Sequence, residues 1–414
     1  MNDLTRDRVA RHRPLPDGWR WVRLGDVCDV VNGYGFPERL QGQSTLPYPF
    51  VKVSDMNAIG SESVVCSARN TVDDAILAEL GARTYPAGTV VFPKVGGALL
   101  TNKKRVLGVR AAFDNNVMGV VPIDVESSWL FRWMQTVDLR TLANTQALPS
   151  VRQSVIADLR LPLPPPEERI RILAILDEQL AAVEKARKAC EEQLEAAKAL
   201  PAAYLRTVFP RPGQELPHGW RWVTLRQACE TKTGLRDPRS SADEAFVYVD
   251  ISSIDTAGKR IVSPKTLLGR EAPSRARKEI RAGDVIVSTT RPNLNAVALV
   301  PQELDGQICS TGFCVLRATE ALTSEVLFAY VQSAQFVDAL SSLVTGALYP
   351  AVTDGQVFSQ PIPLPPLAEQ TRIAALLRER MAAAEKARRA CEERLEAIRT
   401  LPAVVLRKAF NGEL

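Results

Sequence analysis

Along two stretches of this 414-residue chain, apolar positions recur at alternating spacings of three and four. The first stretch carries Leu173, Leu176, Leu180, Val183, Cys190, Leu194 and Ala197, with Arg187 in the one gap. The second carries Ala374, Leu377, Met381, Ala384, Cys391, Leu395 and Ile398, with Arg388 in the same place. That spacing gathers the apolar side chains onto one stripe of a helix, and Glu, Lys and Arg cover the remaining faces. Prolines 164–166 and 365–366 suit a stiff approach to a helix start, where a missing N–H costs little. About 34 helical residues in each stretch predict a rod of roughly 50 Å. Each arginine in the stripe must reach out to water or find a glutamate, and a polar residue in a seam can fix register.

The two stretches are copies. Pro162–Phe209 and Pro363–Phe410 align without a gap at a shift of 201 residues, with 29 of 48 positions identical. A rod with one apolar stripe needs a partner, and the other copy in the same chain is present at high effective concentration, so intrachain pairing is expected. A homodimeric coiled coil would use the same stripe.

The duplication extends further. Leu15–Gly33 (LPDGWRWVRLGDVCDVVNG) matches Leu216–Gly234 (LPHGWRWVTLRQACETKTG) at the same shift. Trp19, Trp21, Trp220 and Trp222 at equivalent places on a leading strand read as core anchors, although indoles also stack on bases. Between these motifs and the helices, residues 32–161 and 233–362 diverge but keep a thin common frame. Pro49–Asp55 and Phe246–Ser252 read as strands, as do Gly88–Phe92 and Gly283–Val287, each a turn entering a buried run. Trp129–Met134 and Val326–Val331 read as short amphipathic helices. The chain is therefore expected to be α+β: two similar mixed α/β globules, each followed by a long helix.

Composition changes this picture little. With 46% hydrophobic and 24% charged residues the chain is expected to be soluble and multidomain, and a net charge of +5 permits nucleic-acid binding without requiring it. No apolar run approaches 18 residues and the polar N-terminus has no signal-like segment, so no membrane partner is expected. Seven scattered cysteines suit a reduced, cytoplasmic setting; Cys309 and Cys314 lack a second pair for zinc. The only histidines, His12 and His218, lie on polar approaches, so histidine-based nucleophilic or metal chemistry lacks its base. Nucleotide-phosphate loops are also missing. Glu167, Glu168 and Glu369 complement helix N-termini rather than act as acids. No catalytic residue and no metal ligand is therefore assigned.

Two loops carry the candidate chemistry. After the buried strand of the first globule come Lys94, Gly96, Gly97, Thr101, Asn102, Lys103, Lys104 and Arg105; after that of the second come Ser288, Thr289, Thr290, Arg291, Asn293 and Asn295. Glycines allow close backbone approach, and hydroxyls, amides and cations are the groups that meet phosphates and base edges. A solvated surface loop would have the same composition. Arg270, Arg275, Arg277 and Lys278 add positive charge to the second globule.

The P-L-P-P-x-x-E-[QR]-x-R-I motif, the long Ala/Glu/Lys helix and the terminal Ala409-Phe-Asn-Gly-Glu-Leu414 resemble the conserved regions of type I restriction–modification specificity subunits. Gly283–Arg317 resembles one recurrent recognition-domain type of that family, and Phe92–Asn116 resembles another. One departure is local: Glu369-Gln370 has the family's usual pair, whereas the first copy reads Glu168-Arg169.

The resemblance implies a polar extension at 1–14, target recognition domains at 15–161 and 210–362, and conserved helices at 162–209 and 363–414 packed as an antiparallel coiled coil. It implies a non-catalytic subunit that reads a bipartite site on double-stranded DNA, one domain per half-site, with the helices setting the spacer. It further implies docking to two methyltransferase subunits and to restriction/translocase subunits, which would carry S-adenosylmethionine, ATP and Mg2+. A DNA-modifying enzyme with an unrecognised site, or a coiled-coil scaffold, would be the alternatives.

Overall fold

The computed structural model describes residues 15–58, 63–144, 148–344 and 350–414. The chain divides into two compact units, residues 1–189 with 394–414, and residues 190–393. Each unit thus holds one globule, the first half of the helix that follows it and the second half of the other helix.

In the first unit the leading strand Arg20–Arg23 pairs antiparallel with Arg160–Leu163, just before the long helix Pro166–Val208. The main sheet has five strands in the order Cys28–Asn32, Val117–Pro122, Val90–Pro93, Arg105–Leu107, Val64–Val65. A smaller sheet orders Thr71–Val72, Tyr48–Val51 and Ala112–Phe113. Trp19, Phe92, Met118 and Trp129 form the core against the main sheet, joined by Ile172 and Leu176 from the first long helix. Leu406, Ala409 and Phe410, from the end of the second, complete it. Phe410 meets Trp129 edge-on at 4.7 Å, and Trp129 Nε1 donates to the Pro162 carbonyl at 3.2 Å.

The second unit repeats this frame in the same register. Arg20 faces Leu163 in one unit, Arg221 faces Leu364 in the other, and each pair is related by the 201-residue shift. Leu24 N–H donates to Leu159 O at 2.8 Å, and Leu225 N–H to Gln360 O at 2.9 Å. Two four-stranded sheets follow: Cys229–Glu230, Phe313–Ala318, Val285–Ser288, Val297–Leu299; and Lys265–Leu268, Ala245–Val249, Gln307–Ser310, Ala276–Ile280. Here Leu205 and Phe209 from the end of the first long helix join Tyr330, Ile373 and Leu377 in the core. Phe209 meets Tyr330 at 5.3 Å, and the Tyr330 hydroxyl donates to Pro361 O at 2.6 Å.

The helices pair antiparallel within each unit. In the second, the Cys190 thiol donates to Cys391 O at 3.4 Å and the Arg380 guanidinium lies 5.4 Å from the Tyr204 ring centre, so advancing along one helix retreats along the other. In the first unit Arg171 Nη2 reaches the Leu414 carbonyl at 3.0 Å. The Arg187 guanidinium binds Glu184, and that of Arg388 binds Glu385 and Glu392, so each takes the second of the two expected routes and finds a glutamate.

Two expectations need correction. The helices span 43 and 44 residues, about 65 Å each, because they run through Pro201 and Pro402. A proline inside a helix costs about 3 kcal/mol. Burying Leu205 and Phe209, or Leu406 and Phe410, in the last turns offsets it, at about 1.5–3 kcal/mol per large side chain. The stripe also begins one residue earlier than the heptad count: Ile172 and Ile373 are fully buried, and Leu173 and Ala374 only partly, since the first turns face a globule rather than a helix. Trp19 is buried in the core as expected, while Trp21, Trp220 and Trp222 are half-buried.

Candidate nucleic-acid interface

In the first unit, four buried residues, Val90–Pro93, deliver the chain to the candidate loop, which contains a short helix at Gly96–Leu100. Lys94 turns inward: its Nζ donates to Asn32 Oδ1 at 2.8 Å, and burial lowers its pKa. Gly96 has φ +71°, and a Cβ on Gly97 would meet open space, so the backbone there is approachable from outside. Thr101 is exposed, with its hydroxyl donating back to Ala98 O at 2.7 Å. Asn102 is left-handed at φ 57°, and its Oδ1 accepts from Leu139 N–H at 2.9 Å and from Lys104 Nζ at 2.8 Å.

Lys104 is only 6% exposed and also donates to Val137 O; burial pushes its pKa down to about 8. It therefore cannot be the phosphate contact expected from the basic run. Lys103 can. It is half-buried, its Nζ meets the neutral amide oxygen of Asn57, and no carboxylate among the described residues offsets its charge. Arg105 lies half-buried in a strand, with Nη1 donating to Lys104 O at 2.9 Å.

The second unit sorts its loop in the same way. Ser288 and Thr289 are buried, and their hydroxyls donate to Thr290 O and Gly312 O, both at 2.9 Å. These two hydroxyls support the loop and do not face outward as expected. Thr290 is half-buried and bridges Ala351 through its backbone. Asn295 is left-handed at φ 46°, and its Nδ2 donates to Gln332 O at 3.4 Å. What faces out is Arg291, Asn293 and Leu294, on a single 3₁₀ turn. Arg291 has no side-chain hydrogen bond or ion pair among the described residues.

The extra cations divide sharply. Arg270 pairs with Asp243, Arg277 with Asp237 at 3.2 Å, and Lys278 with Asp354. Arg275 is exposed and pairs with nothing among the described residues. Its carbonyl accepts from Thr311 N–H at 2.8 Å, and the adjacent Gly312 carbonyl accepts from Thr289 N–H at 2.8 Å. Those two bonds tie Arg275 to the end of the sheet that carries Arg291. Sequence reading could not separate Arg275 from its neighbours, because their acidic partners lie far along the chain.

Among the described residues, no cluster of three or more His, Cys, Asp or Glu could hold a metal, and no helix is long and apolar enough to cross a membrane. Burial pushes the thiols of Cys28, Cys229 and Cys309 up to about 12, which leaves them unreactive.

Residues 16–195 and 217–390 each match the family model described as type I restriction modification DNA specificity domain. The chain belongs to this family. Its two specificity domains coincide with the duplicated frame. It is similar to the type I restriction enzyme EcoDI specificity subunit of Escherichia coli, at 22% identity over 97% of this chain and 89% of that one. A Methanocaldococcus jannaschii relative, the MjaVIII specificity subunit, is 21% identical over 88% of this chain and 86% of its own length. Two solved structures share the fold at 24% identity. One, from work on complex assembly and conformational transition of the type I R-M system, has a TM-score of 0.76 and covers 97% of this chain and 100% of that one. The other, the HsdS subunit from Thermoanaerobacter tengcongensis, has a TM-score of 0.64 and covers 97% and 99%.

Each specificity domain locks its long helix differently at the position where the first copy departs from the family motif, Arg169 against Gln370. In the second, fully buried Gln370 donates to Ala321 O at 2.8 Å and Pro365 O at 2.9 Å, and accepts from Thr323 N–H at 2.8 Å. In the first, Arg169 donates to Pro164 O at 2.8 Å and forms a two-pronged pair with Glu126 at 2.7 and 2.9 Å. Glu126 and Thr323 both precede the first residue of the short helix in their domain. The Arg for Gln exchange is thus matched by a carboxylate where the other domain uses a backbone N–H.

Proposed function

We propose that this chain is the non-catalytic specificity subunit of a type I restriction–modification complex, reading a bipartite site on double-stranded DNA with one domain per half-site. The observation that carries the reading is a frame repeated in identical register around two loops that leave different groups exposed. Like frames can dock like partners, here two methyltransferase subunits, while unlike loops read unlike bases. Methyl transfer from S-adenosylmethionine, ATP-driven translocation and Mg2+-dependent cleavage belong to the methyltransferase and restriction subunits, and the complex acts in the cytoplasm.

In the first domain the backbone at Gly97, the Thr101 hydroxyl and Lys103 face the DNA. In the second, Arg291 and Asn293 reach base edges and Arg275 meets a phosphate. An arginine can hydrogen-bond a guanine with two donors, which discriminates between base pairs by about 1–3 kcal/mol. A lysine or arginine on a phosphate contributes affinity without sequence information.

The test uses the assembled methyltransferase complex. Arg291→Ala should cost roughly 1–3 kcal/mol on the cognate site and relax one half-site only. Lys103→Ala and Arg275→Ala should weaken binding to all sequences alike and reduce the salt slope by about one. Mapping methylated adenines reads the specificity directly. A wild-type complex that methylates without site preference would overturn the reading.

A further inference from the structure

The loop that carries Arg291 holds that residue in a conformation it disfavours. Arg291 has φ 50° and ψ 62°, in the left-handed region that is strained for a residue of its kind, and Asn295, at φ 46° and ψ 52°, shares that region, which asparagine tolerates. Between them Pro292 is buried, and Pro292 and Asn295 line a small cavity together with Phe336, Val337 and Leu340. The loop's inner side is therefore packed against the helix Ala334–Ser342, while Arg291, Asn293 and Leu294 project outward.

Strain of this kind persists only where the surroundings hold both ends. At the first end, Arg291 N–H donates to Pro350 O at 2.8 Å. At the other, Asn295 Nδ2 donates to Gln332 O, and the Asn295 carbonyl accepts from Lys259 Nζ at 2.7 Å. Lys259 belongs to a different element, the tight hairpin joining Ile254–Asp255 to Arg260–Ile261, and is itself left-handed at φ 51°. The hairpin does not need that ammonium. It closes through its own strand pairing and through Asp255, which accepts from Ala257 and Gly258 N–H and pairs with Arg260. Lys259 is nevertheless half-buried, with its pKa lowered by burial, and its one side-chain hydrogen bond among the described residues goes to the loop.

Resting on the reading of this loop as DNA-facing, we infer that Lys259 is a positioning residue for base recognition: by holding the Asn295 end of the loop it fixes how Arg291 is presented and so sets discrimination in the second domain's half-site. Lys259 itself touches no DNA.

The experiment compares Lys259→Met, Lys259→Arg and Arg291→Ala in the assembled methyltransferase complex. Its readout is the ratio of methylation rates on cognate DNA and on DNA with single mismatches in either half-site. Because each ratio comes from one preparation, a partly unfolded fraction cancels. Lys259→Met is expected to lower discrimination in the second half-site roughly tenfold and leave the first unchanged. Lys259→Arg, which keeps a cationic donor, should retain discrimination, and Lys259→Met should add nothing in the Arg291→Ala background. Equal loss on all DNAs with a smaller salt slope would make Lys259 a phosphate contact and overturn the proposal. So would an unchanged ratio, or a Lys259→Met chain that fails to assemble. A wild-type complex without site preference would instead defeat the functional reading beneath it.

Discussion

Lys104 holds its amine against the Asn102 amide oxygen and the Val137 carbonyl, with almost no access to water. A neutral amine keeps two N–H groups, enough for both acceptors, so the amine can lose its proton without breaking the contacts. Its folded pKa is about 8, against 10.5 for the free side chain. Between those values the unfolded chain binds more protons than the folded one, so stability rises with pH there. The cost of burying the charge is fully present below pH 8 and is relieved toward pH 10.5. Melting temperatures of wild type and Lys104→Met should therefore diverge in favour of wild type as pH rises from 7.5 to 9.5. A difference flat across that range would mean that Lys104 titrates as an exposed lysine. The same residue shows where sequence reading stops. Lys103 and Lys104 are adjacent and chemically alike, yet only the fold turns one outward.

At the scale of elements, the helix starts offer a matched comparison. Gln370 is fully buried among two carbonyls and one N–H, whereas Arg169 in the other copy has Glu126. Gln370→Arg would bury a cation with no carboxylate partner and leave Thr323 N–H without its acceptor, costing about 3 kcal/mol or more. Arg169→Gln leaves Glu126, whose side chain is 42% exposed, free to turn to water, and should cost nearer 1 kcal/mol. Adding Thr323→Glu to Gln370→Arg should recover part of the loss. Thermal unfolding of the three variants checks the asymmetry, and equal costs for the two single exchanges would refute it. The repeat made these positions comparable from sequence alone. Their partners, in segments that diverged, became visible only in the folded domains.

For the whole molecule, the spacer-setting role that the family resemblance implies for the long helices gives a length test. Deleting seven residues after Ala181 and the matching seven after Ala382 keeps the apolar stripe in phase. It removes about 10 Å of helix from each copy. The preferred spacer should shorten by about three base pairs, at 3.4 Å each, with both half-site sequences unchanged. Deleting seven residues from one helix alone should break the pairing. Methylation of the original site with its original spacer by the double-deletion complex would refute the gauge.

The sequence by itself determined the duplicated frame, the two long helices and their matching arginines. These are written in local spacing and in side chains repeated 201 residues apart, and such patterns survive without knowledge of the fold. It also named the two loop stretches that are proposed to face DNA. Only the tertiary structure decided which groups on them are free. Arg277 is neutralised by Asp237 and Lys278 by Asp354, partners 40 and 76 residues away, while Arg275 and Arg291 have none among the described residues. The hydrophobic stripe likewise could not show that Phe410 completes the core built around Trp129. Periodicity fixes which face of an element is apolar; which surface covers that face is a property of the packed chain.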